Sequence, residues 1–187
     1  MVYGQIAGED AVDYLDGLAL PEYDGEQVAR ERERILAPLN RPGGLQASKV
    51  EYKLRRMVND YLQPPKVTRK MEIGLQRFAE IREDLDHVRA ENPHELMRAM
   101  EVHAILDCAE LAARASLYRT ESRWGLYHYR TDFPERDDAH WNCFAEVRKA
   151  SDGNPEYFKR PIPDYIVPIG DAEKNAYNEL RIEAARA

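Results

Sequence analysis

Met71, Leu75, Phe78, Ile81, Leu85 and Val88 step through the sequence by four, three, three, four and three residues. That spacing tracks the 3.6-residue turn, so the six side chains line one face of a helix. A single amphipathic helix is marginal in water and must lay its stripe against other helices. The chain offers partners on both sides of this seam. Upstream, Val50, Leu54, Met57, Val58, Tyr61 and Leu62 make one face. Downstream, a helix from Pro93 carries Leu96, Met97, Met100, Ala104, Ile105, Cys108, Leu111, Ala112 and Ala115, a wide stripe suited to more than one neighbour. Residues 24–39 are more charged, with Val28, Ile35, Leu36 and Leu39 as an inner face. The expected fold is mainly α: an antiparallel three-helix (spectrin-repeat-like) bundle on 48–62, 68–90 and 93–119, with Leu75, Phe78, Leu85, Met100, Ala104 and Leu111 inside. Its connections fall at 40–47, 63–67 and 90–93.

Start signals agree. Asp24-Gly25-Glu26-Gln27, Ser48-Lys49-Val50-Glu51 and Asn92-Pro93-His94-Glu95 each fit the capping box, in which the first side chain accepts from a backbone N–H three residues on. After about residue 120 the pattern breaks. Gly125, Pro134, Asp152-Gly153, Pro155, Pro161, Pro163 and Pro168 punctuate it. Residues 141–149 and 156–167 read as short strands joined at Asp152-Gly153-Asn154, an irregular β-hairpin extension. A last helix over 171–186 can be capped by Asp171. At the other end, Ala7, Ala11, Tyr14, Leu15 and Leu18 give an amphipathic helix without a strong cap. Residues 1–23 read as a tail, and 24–187 as the main domain with an extended 120–170 segment.

Charge is unevenly placed. Residues 1–26 hold seven acidic side chains and no Lys or Arg, and the rest of the chain is balanced. A general nucleic-acid binder would show a basic excess. The exception is 49–70, where seven basic residues face Glu51 and Asp60; a solvated or protein-docking face is preferred to a phosphate track. No run of about 18 uncharged apolar residues occurs, so no membrane insertion is expected. The N-terminus shows no basic-then-apolar secretory pattern. Cys108 and Cys143 are too few and too far apart for a disulfide scaffold or a cysteine metal site, and both read as packing. A reducing, cytoplasmic setting is the default.

Catalytic constellations are sparse. Glu91 and His94 have the spacing of a carboxylate di-metal ligand pair, but a cap at Asn92 puts Glu91 outside the helix. His103 and Asp107 are four apart and read as a hydrogen-bonded pair. Ser116 and Ser122 lack a nucleophile elbow. Gly43-Gly44 is not a strand–turn–helix phosphate cradle, so no FAD, NAD or ATP site is expected in this chain alone. The stretch that stands out is 120–138, where charges and aromatics interleave without helical spacing. Glu121, Arg123, Arg130, Asp132, Arg136, Asp137 and Asp138 suggest an ion-pair network, read either as a structural corner or as a surface docking on a partner domain.

That stretch resembles the C-terminal region of flavoprotein subunits of the succinate dehydrogenase/fumarate reductase superfamily. The shared run is Glu121-Ser122-Arg123, then His128-Tyr129-Arg130-Thr131-Asp132-Phe133-Pro134-Glu135-Arg136-Asp137-Asp138. Gly4 to Ala11 resembles the last helix of that family's FAD domain, and the helices from 48 to 119 resemble its C-terminal bundle. The longer gap Trp124-Gly125-Leu126-Tyr127, with Trp141, Cys143 and Phe144, is similar to the adenylylsulfate reductase alpha-subunit branch. The resemblance implies a helical C-terminal domain of an FAD-dependent oxidoreductase subunit in electron transport, catalytically silent alone. FAD and the substrate site would belong to an upstream domain. An iron–sulfur subunit is an implied partner, with peripheral membrane association through partner subunits. Arg123, Tyr127, His128, Arg130, Asp132 and Arg136 become domain-docking candidates, and no catalytic or metal residue is assigned. His128 is the member able to titrate near neutrality. The competing class is a free-standing helical interaction module without redox activity.

Overall fold

In chain order the helices are α1 (Val2–Leu15), α2 (Gly25–Leu36), α3 (Ala47–Leu62), α4 (Thr68–Leu85), α5 (Pro93–Tyr118) and α6 (Asp138–Trp141). The strands are β1 (Leu45–Gln46), β2 (Val88–Arg89), β3 (Cys143–Lys149) and β4 (Pro155–Pro161). This computed structural model describes residues 2–19 and 22–162. The expected helix over 171–186 with its Asp171 cap, and the strand beyond 162, lie outside the described residues. The chain divides into two units after Ile35.

The first unit is α1 and nearly all of α2. Ile6, Val12, Tyr14 and Leu15 on α1 are exposed. Asp24 caps α2 as expected, its Oδ1 accepting from the N–H groups of Glu26 and Gln27 at 3.0 Å each. The inner face expected for 24–39 is not buried: α2 has no buried residue, Val28 is 46% exposed, and a 3-10 turn at Ala37–Asn40 replaces its last turn. Pro38 in that turn is what becomes buried.

The second unit holds the bundle. Pro64-Pro65 stops α3, because proline supplies no N–H and disfavours helix in the residue before it. The chain then returns antiparallel. Lys53 Nζ on α3 meets Asp84 near the far end of α4 at 2.6 Å, and a Cβ on Gly74 would come within 2.9 Å of Tyr61 Cβ. Gly74 thus lets the two backbones approach. Leu54, Met71, Phe78, Ile81, Leu85, Val102 and Leu106 are essentially inaccessible, and together with Val50, Ala99 and Ala113 they make the centre of the core. Fully burying one such side chain contributes roughly 1.5–3 kcal/mol.

Several boundaries differ from expectation for identifiable reasons. The Ser48 box does not form: α3 begins at Ala47 after an uncapped Gln46. Glu51 instead pairs with Arg55 at 2.8 Å and Arg98 at 3.4 Å. The Asn92 cap does form, Glu95 N–H donating to Asn92 Oδ1 at 3.0 Å. The Glu95 carboxylate reaches back one residue further than the motif specifies, to Glu91 N–H at 2.9 Å. Helix α4 ends at Leu85, not 90. Val88 is buried, but in β2, which pairs parallel with β1. The correction on α5 is larger. Its buried row is Ala99, Val102, Leu106, Ala109, Ala113 and Ser116. Ala104, Cys108 and Leu111 are exposed, and Met100 and Leu75 are only partly buried.

After α5 the chain makes the expected hairpin. β3 and β4 pair antiparallel from Cys143↔Pro161 to Lys149↔Pro155. The turn closes with Ala150 N–H donating to Asn154 O at 2.8 Å and Gly153 N–H to Ala150 O at 2.9 Å. Cys143 is partly buried, Phe144 is 45% exposed, and Trp141 is buried at the end of α6.

Candidate docking site

Residues 119–141 turn the chain out of α5 through a corner built on two buried arginines. The first centre is the Glu121 carboxylate, with no exposed surface. It accepts from Arg119 at 2.5 Å, from Arg123 at 2.6 and 3.0 Å, and from the Asp137 N–H at 2.8 Å. Arg119 also donates to the carbonyls of Trp141 at 2.9 Å and Cys143 at 2.6 Å. Its guanidinium lies 5.5 Å from the Trp124 ring centre and 5.2 Å from that of Trp141, within cation–π range. The chain of charges runs outward through Arg123 to Asp138 at 2.7 Å and on to Arg136 at 2.6 Å. Burial opposes ionisation of Asp138, yet Arg136 and Arg123 together hold its carboxyl below the usual range.

The second centre is Arg130, also without exposed surface. Its Nε and one terminal nitrogen fork onto Asp132 at 2.8 and 2.7 Å. It also donates to Ser116 O at 2.7 Å, Arg119 O at 3.0 Å and Thr68 Oγ1 at 2.6 Å. Asp132 in turn accepts from the Thr68 N–H at 2.8 Å and from its hydroxyl. Val67, at the N-cap position of α4, offers no side-chain acceptor. Asp132 thus supplies that function from a distant loop, where a carboxylate is favoured by the unpaired N–H groups. The Arg130 bonds hold the Asp132 carboxyl well below the ordinary carboxylate range. The segment is stitched to the α3–α4 connection by Lys66 N–H to Tyr129 O at 2.8 Å and Thr131 N–H to Lys66 O at 3.0 Å.

His128 lies between the two centres and is buried. Burial first, then the cations Lys66, Arg119 and Arg130, push its pKa down to about 4, so the ring is neutral at physiological pH. Above the corner, the backbone exposes an aromatic tip. Trp124 sits in the left-handed region at φ 58°. It is 53% exposed, Leu126 65% and Tyr127 76%. Non-glycine residues held there cost of order 1–3 kcal/mol and cluster at functional sites.

The six candidates therefore divide. Tyr127 is open to solvent, whereas His128 and Arg130 are buried and Arg123 and Arg136 are mostly covered. Asp132 links the loop to α4. The network read as one closed cluster is two, and Asp137 instead caps α6 and pairs with His140 at 2.8 Å. Arg119, Lys66 and Thr68 are members of the network that spacing did not mark. Elsewhere, Asp107 accepts from Arg82 at 2.8 Å, and no group of three or more metal-ligating side chains occurs among the described residues. Much of the basic stretch 49–70 is paired within the chain, as in Lys53–Asp84, Arg55–Glu51 and Arg56–Asp60. No helix among the described residues is long and apolar enough to cross a membrane.

Gly43-Gly44 does not form a dinucleotide-binding turn. The parallel pair β1/β2 is two residues long, and Gly44 is needed for another purpose. At φ 143° a Cβ there would lie 2.2 Å from His87 O, the carbonyl to which Leu45 N–H donates. Glycine serves a close backbone crossing here, not a pyrophosphate cradle.

His128 sets a pH dependence. Between pH 6.5 and about 4 the unfolded chain takes up a proton that the folded ring refuses. Stability is thus fully present above 6.5 and falls on acidification through that window, by up to about 3 kcal/mol. The depressed Asp132 acts the same way but only below the usual carboxylate range. Urea unfolding from neutral pH to about pH 4 is expected to show this slope in the natural protein and a weaker one in His128→Gln. Equal slopes would refute it.

Among protein families, that described as fumarate reductase flavoprotein C-term matches residues 51–174. The fumarate reductase flavoprotein subunit of Mycobacterium tuberculosis is 31% identical over 150 residues, covering 79% of this chain and 22% of that protein. An uncharacterized FAD-dependent oxidoreductase of Methanocaldococcus jannaschii is 29% identical over 135 residues, covering 72% of this chain and 24% of that one. Adenylylsulfate reductase from Archaeoglobus fulgidus superposes with a TM-score of 0.83 at 26% identity, over 89% of this chain and 29% of that chain. E. coli quinol fumarate reductase, at 21% identity and a TM-score of 0.75 over 91% of this chain and 30% of that chain, shares the fold. The chain spans about a quarter of the length of the curated relatives it matches.

Proposed function

The chain belongs to the fumarate reductase flavoprotein C-terminal family, and on that premise we propose that it is the docking domain of an FAD-dependent oxidoreductase subunit, silent in redox chemistry alone. The observation that carries this is the exposed tip Trp124–Leu126–Tyr127 mounted on a buried, hydrogen-bonded arginine platform. Aromatic side chains on a rigid base are the usual anchors of protein interfaces. The occupant is the FAD- and substrate-binding domain, and residues 1–23 belong with it. Arg123, Arg130, Asp132 and Arg136 hold the loop in its docking shape, His128 lies beneath its tip, and Tyr127 makes contact. The flavin performs the electron transfer when bound, and this chain orients and seals the assembly. The complete enzyme works in the cytoplasm, reaching the membrane through partner subunits that include an iron–sulfur protein.

The test is co-expression with the region encoded immediately upstream of Met1. The expected result is a yellow complex with stoichiometric FAD, while residues 1–187 alone are colourless and inactive. Stoichiometric FAD on the isolated chain, or no association with an FAD-bearing partner, overturns the proposal; the second outcome favours a free-standing interaction module.

A further inference from the structure

Two open clefts lie end to end between α5 and β3. One, of about 230 Å³, is lined by Ala115, Ser116 and Arg119 of α5, by Cys143 and Ala145 of β3, and by Trp124 of the exposed tip. The other, of about 460 Å³, is lined by Asp107, Leu111 and Arg114 of α5 and by Val147 and Lys149 of β3. In that order helix and strand run antiparallel. Asp107 to Arg119 spans about 18 Å of helix and Cys143 to Lys149 about 20 Å of strand, so one groove follows the whole strand. The edge of β3 on this side is unpaired. Ala150 N–H donates to Asn154 O, which makes 150 and 154 a hydrogen-bonded pair. Such pairs alternate along an antiparallel ladder. Phe144, Glu146 and Arg148 therefore bond to β4, while Cys143, Ala145, Val147 and Lys149 turn their N–H and C=O groups the other way. Cys143 O receives Arg119 from the end of α5 at 2.6 Å, so this free edge faces the helix. The backbone groups of Ala145 and Val147 on that edge have no partner among the described residues, and both residues are partly exposed.

We propose that this groove receives an extended segment of the docked FAD-bearing domain, which adds to β3 as a third strand through the backbone of Ala145 and Val147. The inference rests on the docking role above and names a second contact of the same surface, since Trp124 belongs both to the tip and to the groove lining. Alternating donors and acceptors along a strand edge call for a polypeptide backbone, the mode of strand addition. The small side chains of Ala115, Ser116 and Ala145 leave room for its close approach. β3 carries no proline between 143 and 149, so its edge is open to pairing. A second copy does not fit. Pro155 and Pro161 close the outward edge of β4 at both ends, and β3 of another copy carries its own α5 beside its free edge. Charge sets the composition of the segment. Arg82 holds Asp107 and Glu110, Glu110 holds Arg114, and Glu121 holds Arg119. Lys149 lines the groove without an ion pair among the described residues. An uncharged segment with one acidic residue at the Lys149 end complements these walls.

The experiment measures amide hydrogen exchange along β3 in the natural chain, free and in the complex recovered by co-expression with the FAD-bearing region. The expected result alternates. Exchange at Ala145 and Val147 slows by about tenfold or more in the complex, while Phe144, Glu146 and Arg148, already bonded to β4, are protected in both states. A complex that forms without this slowing overturns strand addition and leaves the docking surface standing. Slow exchange at both residues in the free chain means that the groove is filled without the partner: by this chain's own end where the slowing is independent of concentration, by a second copy where it grows with concentration. Either result overturns the proposal. Binding affinity supplies the second arm. Val147→Pro removes an outward donor and leaves the β3–β4 bonds in place, and is expected to weaken association by about tenfold or more. Tyr127→Ala probes the tip without touching the groove. If Tyr127→Ala weakens binding and Val147→Pro does not, strand addition is wrong and the tip still docks. If the natural chain forms no complex, the docking role itself is wrong, and the inference falls with it.

Discussion

Replacing Phe78 with alanine is expected to lower the unfolding free energy by about 3–5 kcal/mol. The phenyl ring is 1% exposed on the buried face of α4, in one core cluster with Leu54 of α3 and Val102 and Leu106 of α5. Truncation removes transfer free energy and leaves a void that three helices would have to close together. They are pinned at their edges, α3 to α4 by Lys53–Asp84 and α4 to α5 by Arg82 with Asp107 and Glu110. Packed helices relax only partially into such a void, so a cavity cost adds to the lost transfer free energy. A loss of that size is a large fraction of the roughly 5–15 kcal/mol that holds a domain folded. Urea unfolding with an unchanged m-value measures it. Leu111→Ala is the internal control: that side chain is 49% exposed, so its truncation should stay within about 0.5 kcal/mol. If Phe78→Ala costs less than about 1 kcal/mol, the seam is not the centre of the core.

The contrast between those residues shows what the sequence made readable. Helices α3 and α4 alternate apolar and charged faces strongly, so their buried residues could be chosen by spacing alone. Helix α5 is apolar on several sides. Two rows of equal plausibility run along it, Ala99–Val102–Leu106–Ala109–Ala113 and Met100–Ala104–Leu111, and only the neighbours decide which is buried. Val88 fits the helical step of α4 and still leaves it, because Leu45 N–H and Pro38 O pair with the backbone at 87 and 90, over 40 residues upstream. The corner divides in the same way. Its ordered run of charges was visible as a resemblance, and the docking candidates came from it. Arg119 stands outside that run, and Lys66 and Thr68 meet it across 62 to 65 residues. No local pattern announces such partners. The open tip and the buried platform were also indistinguishable in the sequence, since an arginine beside a tyrosine is normally the more exposed of the two.

Arg130→Ala is expected to destabilise the chain by about 3–5 kcal/mol, the range for removing one partner of a buried ion pair. Three consequences act together. The carbonyls of Ser116 and Arg119 lose their donor at 2.7 and 3.0 Å, Thr68 Oγ1 loses its bond at 2.6 Å, and Asp132 keeps its charge without the guanidinium that offset it. Because Asp132 also bonds the first N–H of α4, the damage spreads from the loop into the bundle, and unfolding should remain a single transition. Arg130→Lys should recover little. An ammonium cannot reproduce the planar fork that meets two carboxylate oxygens, two carbonyls and a hydroxyl at once. The acid limb offers an independent readout. The guanidinium is the largest cause of the low Asp132 pKa, so both variants should raise it toward the ordinary value. The stability that Asp132 contributes above that value, and loses as pH falls through its depressed one, should shrink accordingly. Turnover of the assembled enzyme should keep its pH profile, since arginine does not titrate in the working range, while association with the FAD-bearing domain weakens as the tip loses its platform. Recovery of natural stability by lysine would show that a point charge suffices and that the fork is incidental.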